Sequence, residues 1–300
     1  MTRQIVLDDL TKIKDLLSIA LGQTEYDHIE RLGGLTNHTY QVTLKNGEPY
    51  VVRIPGEGTQ AMIDRSNERI STQLACGLGI DTQLLYFGDD GSKVTAYLPD
   101  PITMSAPLLG RKENISHIAQ ILRTLHNCKQ DTHVPFEIFD MSENYERVIA
   151  QFKVPMFDDF SCCKQAVMDI KSTIDQSHPA QKVPCHNDPL CENWVWSNGR
   201  MYLIDWEYAG MNDGMWDLAD VSLEAGFHAS QDTFLLCEYL QRPPEQEDLR
   251  HFLANKIYVD YLWTLWAKAR VPYDGQPMED WAAERYARLK ENLRLFYPRG

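Results

Sequence analysis

Two short polar stretches on either side of a hairpin signal decide the fold of this chain. The stretch Cys185–Asn193 reads Cys-His-Asn-Asp-Pro-Leu-Cys-Glu-Asn, and the stretch Ile204–Tyr208 reads Ile-Asp-Trp-Glu-Tyr. Residues 193–204, which join them, read as a strand, an Asn-Gly turn and a second strand. Because a hairpin brings its two ends together, we expect Asp205 to return beside Asn193.

The oxygen-bearing side chains of these stretches suit phosphoryl transfer, which needs a carboxylate near the attacking hydroxyl and oxygen ligands for Mg²⁺. Asp188 fits the first need as base or orienter, while Asn193 and Asp205 fit the second as metal ligands. The Asp-to-Asn spacing is that of the protein kinase catalytic loop. A single such spacing arises by chance in many proteins. The preceding His186 and the closing Ile204–Glu207 make the combination specific.

Composition limits the class of protein. A length of 300 residues fits one large or two ordinary domains. The fractions of hydrophobic residues, 43%, and of charged residues, 24%, are typical of globular proteins. The formal net charge is −14 without a cluster of Lys or Arg, so we expect no nucleic-acid partner. Seven cysteines without a CxxC spacing favour a reduced protein. No apolar run approaches the roughly 20 residues that cross a bilayer, and charges interrupt the N-terminus, so we expect no membrane insertion and a cytoplasmic location.

The order of predicted elements changes near Pro99-Asp100-Pro101, a candidate hinge. Before it, the sequence predicts these elements: a helix over 7–21, a hairpin around Asn46-Gly47, a helix over 60–76 with Met62, Ile63, Ile70 and Leu74 inward, and strands over 83–87 and 93–98. After it, nearly everything reads as helix apart from the hairpin of residues 193–204.

The motif His-x-Asp followed by Asn and then Ile-Asp-Trp-Glu resembles the kinase-like phosphotransferases of small molecules. These include aminoglycoside phosphotransferases and the choline and ethanolamine kinases, and the form of Ile204–Tyr208 is similar to the bacterial choline kinase type. The resemblance runs from about Arg31 to about Tyr286. It implies an α+β, two-lobed protein-kinase-like fold. Residues 1–98 would form a nucleotide-binding lobe with an antiparallel sheet and one main helix, and residues 99–300 a mostly helical lobe with the catalytic hairpin and the substrate site.

The resemblance also implies nucleotide-binding residues in the first lobe. Arg53 stands where protein kinases place a phosphate-binding Lys, and the family pattern pairs it with Glu68. By sequence alone Arg53 could also be a surface residue at a strand edge, although the functional interpretation is favoured, and a Gly-Gly turn serves any tight hairpin. The other implied residues are Gly33, Gly34, Thr36 and Asn37 in a phosphate loop, and Tyr97 and Leu98 on a strand whose backbone reads adenine.

The acceptor is indicated by a helical stretch over 255–266, in which Trp263 and Trp266 lie on one face. A quaternary ammonium group donates no hydrogen bond, so its recognition takes aromatic faces and a nearby carboxylate. By itself such a Trp pair is more often part of the core. The choline pocket of the family has a similar segment, which implies a substrate site with Tyr286 as a further aromatic residue.

The carboxylate candidates for the ammonium are Glu224 and, in a supporting or metal-shell role, Glu207. Asp217, Asp220 and Glu224 share one helical face, which could also be an exposed acidic face. Choline kinases usually have Asn at the place of Asp220, and this departure leaves room for a different amine.

Taken together, the resemblance implies an ATP- and Mg²⁺-dependent kinase that transfers the γ-phosphoryl group to the hydroxyl of choline and gives phosphocholine. Ethanolamine, thiamine or an aminoglycoside are alternative acceptors. A catalytically silent nucleotide- or amine-binding homologue is the alternative from another class. We expect a monomer or a homodimer.

Overall fold

The residues that the computed structural model describes are 6–33, 37–56, 64–177 and 181–297. The predictions for Gly34, Thr36, Met62 and Ile63 lie outside them. The chain divides into two units, Met1–Ser105 with Cys191–Gly210 and Ala106–Leu190 with Met211–Gly300. The hairpin after Asn193 groups with the first unit, and the lobe boundary between residues 98 and 99 stays a prediction.

The main sheet of the first unit has five antiparallel strands in the order β1-β2-β3-β5-β4. They are β1 (Tyr26–Gly33), β2 (Asn37–Leu44), β3 (Pro49–Pro55), β4 (Leu84–Phe87) and β5 (Lys93–Ala96). The turn between β2 and β3 contains Gly47 at a φ of 86°, a left-handed conformation that glycine adopts without strain. The predicted hairpin and the two later strands are confirmed.

Helix α1 (Leu7–Leu21) belongs to the first unit and ends at Gly22, whose φ is 68°. Both bounds agree with the sequence prediction. The helix is amphipathic, and its buried Ile13 and Leu17 share one apolar cluster with Tyr40 of the sheet. This packing gives the sheet its core on one face.

Helix α2 (Arg65–Gly77) begins after Asp64, whose carboxylate accepts two backbone N–H bonds of the first turn. The prediction that Ile70 faces inward is wrong, because this side chain is 42% exposed. The buried face of α2 is mostly polar, with Arg65, Glu68, Ser71, Thr72 and Ala75. The helix therefore meets its surroundings through ion pairs, which hydrophobic periodicity does not detect.

A smaller three-stranded sheet of the first unit contains the predicted second hairpin. Its strands are β6 (Ile102–Thr103), β8 (Trp194–Ser197) and β9 (Arg200–Leu203), in the order β6-β8-β9. Asn198 and Gly199 have φ values of 48° and 75°, as a type I′ turn requires. The Asn-Gly signal is confirmed, and the hairpin brings the residues before β8 close to those after β9.

The second unit is mostly helical, as predicted. Its helices are α3 (Ala106–Leu109), α4 (Lys112–His126), α5 (Ile138–Phe152), α6 (Phe160–Ser177), α7 (Gly214–Glu224), α8 (Ala229–Leu240), α9 (Gln246–Asp274) and α10 (Gln276–Phe296). Strands β7 (Lys182–Cys185) and β10 (Gly210–Asp213) pair with each other. Helix α9 packs against α5, α7 and α10 and is buried on most of its circumference. Among the described helices, none has both the length and the apolar character of a membrane span.

Candidate active site

Asp188 lies on a loop after β7, and side chains of α7 form hydrogen bonds with the backbone of this loop. The N–H groups of His186 and Asn187 donate to the two carboxylate oxygens of Asp217, each at 2.8 Å. The indole Nε1 of Trp216 donates to the carbonyl of Asn187 at 3.0 Å. Bonds from backbone N–H groups to a charged acceptor are stronger than neutral ones, so the half-buried Asp188 is presented from a fixed main chain.

Two non-glycine residues of the polar stretches have a left-handed backbone, Asn187 at a φ of 66° and Asp205 at a φ of 72°. Asn and Asp tolerate this conformation better than other residues, although it still costs on the order of 1 kcal/mol. The side chain of Asn187 accepts a hydrogen bond from Asn212 Nδ2 at 2.9 Å, which helps to hold it. Conformations of this kind cluster at functional loops.

Asp217 also joins this loop to α4. Nε2 of His126 lies 3.0 Å from Asp217 Oδ2, and Nδ1 of the same ring lies 2.8 Å from the hydroxyl of Tyr239. The ring is buried, and both of its nitrogens have a partner, which is typical of a structural histidine. Asp217 and Asp220 are also fully buried, so the alternative of an exposed acidic face is wrong.

Asn193 and Asp205, the two predicted metal ligands, lie at the two ends of the hairpin in the first unit. The N–H of Ile204 donates to the carbonyl of Asn193 at 2.9 Å, and this hydrogen bond between the two ends of the hairpin brings Asp205 next to Asn193. Both side chains are half-buried and carry the oxygen atoms that Mg²⁺ prefers. Asp188 belongs to the second unit, and the convergence of all three side chains stays a prediction.

Arg53 is a buried residue of β3, only 4% exposed, so the alternative of a surface position is wrong. Its guanidinium group forms an ion pair with the fully buried Glu68 of α2, the pair that the resemblance implies. Nη2 also donates to the carbonyl of Gly91 at 2.9 Å, and Nη1 lies 3.4 Å from Asp205 Oδ1. These contacts fix a guanidinium group beside a candidate metal ligand.

Arg65 extends this cluster and was not found from the sequence. Its Nη1 donates to Glu68 Oε2 at 2.6 Å and lies 3.7 Å from Glu207 Oε2. Asn37 Nδ2 donates to the same Glu207 oxygen at 3.3 Å. The only sequence signal for Arg65 was its spacing of three residues from Glu68 on a helix. Glu207 therefore contacts residues of the nucleotide side, and its predicted contact with the acceptor stays a prediction.

Burial and the negative charge of Asp205 raise the pKa of Glu207 to about 7, against the opposing effect of Arg53. A carboxyl with a raised pKa in a polar cluster is a common property of functional sites.

The remaining nucleotide-side residues lie at strand ends. Gly33 ends β1 and Asn37 begins β2, so the described part of the predicted phosphate loop is its two flanks. Tyr97 and Leu98 follow β5 directly and are half-buried. Burial raises the pKa of the Tyr97 hydroxyl. Their predicted contact with adenine stays a prediction.

Three tryptophans of α9 and α10 lie together in the second unit. The rings of Trp263 and Trp266 are perpendicular with centroids 6.2 Å apart, and Trp266 meets Trp281 at 5.7 Å. The guanidinium carbon of Arg285 lies 4.0 Å from the centroid of the Trp281 ring. Arg285 also forms an ion pair with Glu224. The guanidinium group of Arg285 thus lies between the face of the Trp281 ring and Glu224, the predicted ammonium-binding carboxylate.

Tyr286 lies in a different aromatic group. Its ring stacks on Phe157 at 4.1 Å, and its hydroxyl donates to Asp159 Oδ1 at 2.7 Å. Among the described ring contacts, none joins Tyr286 to the three tryptophans. Trp281, five residues earlier on the same helix, takes the position next to Trp266. The family resemblance implied Tyr286 as a further aromatic residue of the substrate site and did not indicate Trp281.

A loop Asp held by its backbone, an Asn and an Asp at the ends of a hairpin, and a strand Arg paired with a helix Glu together define a kinase-like phosphotransferase. The sequence model of the family described as choline/ethanolamine kinase matches residues 29–277, and the chain belongs to this family. The protein-kinase-like fold is the one that choline kinases share with aminoglycoside phosphotransferases.

Individual relatives agree with this assignment. Protein LicA of Haemophilus influenzae is 28% identical over 267 residues, which cover 85% of this chain and 76% of that protein. The crystal structure of choline kinase LicA from Streptococcus pneumoniae is 31% identical with a TM-score of 0.81, covering 95% of this chain and 99% of that one. A structure of LicA in complex with AMP is 30% identical with a TM-score of 0.78, covering 95% and 98%. The protein is a phosphotransferase that acts on the alcohol group of choline or a related amine alcohol.

Proposed function

We propose that the protein transfers the γ-phosphoryl group of ATP to the hydroxyl of choline in the presence of Mg²⁺ and gives phosphocholine. The tryptophan cluster of Trp263, Trp266 and Trp281 beside Glu224 is the observation that carries this acceptor. A quaternary ammonium group is attracted to aromatic faces and needs no hydrogen-bond acceptor. The guanidinium group of Arg285, which contacts the ring of Trp281 and pairs with Glu224, is a cation of the protein itself at this place and supports the proposal. Two relatives described as choline kinase or LicA support the same acceptor.

On the nucleotide side, the proposal assigns the phosphates to Arg53 and the loop from Gly33 to Asn37. The guanidinium group of Arg53 is held by Glu68 and Gly91, so its position is set before a phosphate arrives. The AMP complex of a relative supports an adenine nucleotide as the donor. ATP as donor also favours the cytoplasm as the location of the reaction.

The oxygen atoms of Asn193 and Asp205 fit Mg²⁺, because the hairpin brings its two ends together and both residues have half-buried side chains there. These two residues would hold the ion, which would supply positive charge to the phosphates of the nucleotide. Asp188 accepts the hydroxyl proton of choline or orients that hydroxyl toward the γ-phosphorus. The bonds from His186 and Asn187 to Asp217 keep the backbone of this base in place.

An ADP-release screen with choline, ethanolamine, thiamine and an aminoglycoside tests the proposal. We expect the highest kcat/KM for choline. In Trp281→Ala and Trp263→Ala, loss of an aromatic face should raise the KM for choline about tenfold, the effect of a cation–π contact of roughly 1–2 kcal/mol. Tyr273→Ala is the control: it removes an exposed aromatic ring of α9, the helix of Trp263, and we expect an unchanged KM for choline. Turnover of another acceptor without turnover of choline would overturn the proposal, as would ADP release that no acceptor stimulates.

A further inference from the structure

Asp220, in the middle of α7, has a carboxyl group that the fold leaves without a hydrogen bond. The residue is 0% exposed, and neither of its side-chain oxygens has a hydrogen-bond partner among the described residues. A buried carboxyl without partners costs several kcal/mol of desolvation, and native proteins rarely keep one without a reason. The two neighbouring acids on the helix, Asp217 and Glu224, both have partners.

The position of Asp220 on α7 relates it to both ends of the proposed acceptor. Asp217, three residues earlier, holds the loop of Asp188, where the hydroxyl of the acceptor reacts. Glu224, four residues later, pairs with Arg285 beside the tryptophan cluster. Residues three and four apart lie on one helical face, at a rise of about 1.5 Å per residue. Asp220 therefore lies on the side of α7 that runs from the hydroxyl end to the ammonium end.

The charges around Asp220 are mostly negative. Burial raises the pKa of its carboxyl well above the usual value, and the charges of Glu224, Asp188 and Asp217 raise it further. Arg285 is an opposing positive charge, and Arg288 is another, since the charge of Asp220 raises the pKa of Arg288. Neither arginine donates a hydrogen bond to Asp220. An ammonium ligand in contact with this carboxyl would therefore add a charge partner and the hydrogen-bond donors that the fold does not supply.

We propose that Asp220 is a specificity-determining residue of the acceptor site, which accepts a hydrogen bond from an N–H group of the bound ammonium. The inference rests on the proposed function and extends it. The aromatic faces attract any small organic cation, whereas only an ammonium with an N–H can satisfy the Asp220 oxygens. The acceptor class then includes primary, secondary and tertiary ethanolamines in addition to choline.

A competing explanation is that Asp220 only balances the charges of Arg285 and Arg288. Arg285 donates to Glu224 and stacks on Trp281, and no hydrogen bond between Arg285 and Asp220 occurs among the described contacts. If charge balance were the whole role, removal of the Asp220 charge would weaken every acceptor by a similar factor. The two explanations therefore differ in their dependence on the N–H group.

The test is kcat/KM for choline, N,N-dimethylethanolamine, N-methylethanolamine and ethanolamine in the wild-type protein and in Asp220→Asn. We expect kcat/KM for the three acceptors with an N–H to fall about tenfold more than kcat/KM for choline, because a charge-assisted hydrogen bond becomes a neutral one. Asp232→Asn is the matched control. Its carboxylate lies in the same unit with partners on both oxygens, Ser222 and Lys256, and we expect no change in the ratio of acceptors.

An equal loss for all four acceptors in Asp220→Asn, or no loss, would overturn the inference. The wild-type protein gives a second test that needs no variant: kcat/KM for N,N-dimethylethanolamine should lie within tenfold of that for choline, and a deficit of a hundredfold or more would contradict the proposal. If none of the four is phosphorylated, the proposed function fails. Calorimetric dissociation constants of the four acceptors, measured with the wild-type protein and Asp220→Asn, then decide the role of Asp220. The deciding quantity is again the loss for the acceptors with an N–H relative to the loss for choline.

Discussion

The two units each bury a cluster of charged side chains, and the clusters differ in their charge balance. In the first unit, three basic side chains face four acidic ones, namely Arg53, Arg65 and Lys93 with Glu68, Asp81, Asp205 and Glu207. In the second unit, two basic side chains face four acidic ones, namely Arg285 and Arg288 with Asp217, Asp220, Glu224 and Asp260. The acidic excess of the second cluster includes the unpartnered Asp220.

Our proposal relates this difference to two modes of recognition. In the first cluster, every guanidinium group is held by a carboxylate, so Arg53 and Arg65 have fixed positions from which a fork of N–H groups can meet oxygen atoms. In the second cluster, acidic groups outnumber basic ones by two, against one in the first cluster. Burial of uncompensated acidic groups is costly, and the ammonium ligand that we propose would reduce this cost.

The largest expected effect concerns Asp188, the base of the proposed reaction. Asp188→Ala should lower kcat by about a thousandfold, because a positioned general base contributes roughly 10²–10⁴-fold, while the dissociation constant for ATP stays within about threefold. ADP release and a calorimetric ATP titration measure the two quantities. Glu192→Ala removes an exposed acid a few residues later and should leave both unchanged. Undiminished turnover in Asp188→Ala would remove this residue from the mechanism.

Within the second cluster, replacement of Asp217 by Asn should lower the free energy of unfolding, whereas the same replacement of Asp220 should not. Asp217→Asn weakens two bonds from buried backbone N–H groups, so we expect the free energy of unfolding to fall by about 2–3 kcal/mol. Asp220→Asn removes a carboxyl that has no partner, and we expect no decrease. Urea denaturation of both variants measures the contrast. Equal destabilisation would mean that Asp220 has a structural partner in the folded protein.

The first cluster can be tested at Arg53 itself. Arg53→Lys keeps the charge but loses the planar fork, so we expect the KM for ATP to rise about tenfold with little change in the KM for choline. Arg69→Lys is the control, since Arg69 is a more exposed arginine of α2 that pairs with the exposed Asp89. A rise in the KM for choline that equals the rise for ATP would show that Arg53 does not act on the nucleotide alone.

The smallest expected effect separates the two aromatic groups of α10. Tyr286→Phe removes the hydrogen bond to Asp159 and keeps the ring, so the free energy of unfolding should fall by about 1 kcal/mol. The KM for choline should change less than twofold, in contrast to Trp281→Ala. Steady-state kinetics and thermal unfolding provide the two measurements. A tenfold rise in the KM for choline would instead support the acceptor role predicted for Tyr286.

The elements of the fold were largely predictable because their signals are local. The Asn-Gly turns of both hairpins require left-handed backbone, and Gly22 ends α1 for the same reason. The orientation of α2 was mispredicted at Ile70, since its buried face is formed by charged residues that find partners elsewhere in the first unit. Hydrophobic periodicity assumes an apolar buried face, and this helix does not have one.

Candidate site residues could be named where they are close in the sequence. Asp188, Asn193 and Asp205 were predicted from their spacing around one hairpin, and their convergence stays a prediction. The pair of Arg53 with Glu68, which the family pattern implies, is present in the structure. Trp281 was missed, because its contact with Trp266 depends on how α9 and α10 pack. Arg65 was missed because both carboxylates that it approaches also bind other residues.

The sequence by itself determined the secondary structure, the membership of a kinase-like family and the residue types available for phosphoryl transfer, because turn chemistry and motif spacing act over a few residues. Only the tertiary structure decided which charges are paired. Arg285 and Glu224 form an ion pair although they are 61 residues apart. Asp220 lies on α7 between Asp217 and Glu224, which both have partners, yet its carboxyl accepts no hydrogen bond. Pairing of buried charges depends on distances of a few ångströms between distant segments, and no local pattern in the chain encodes those distances.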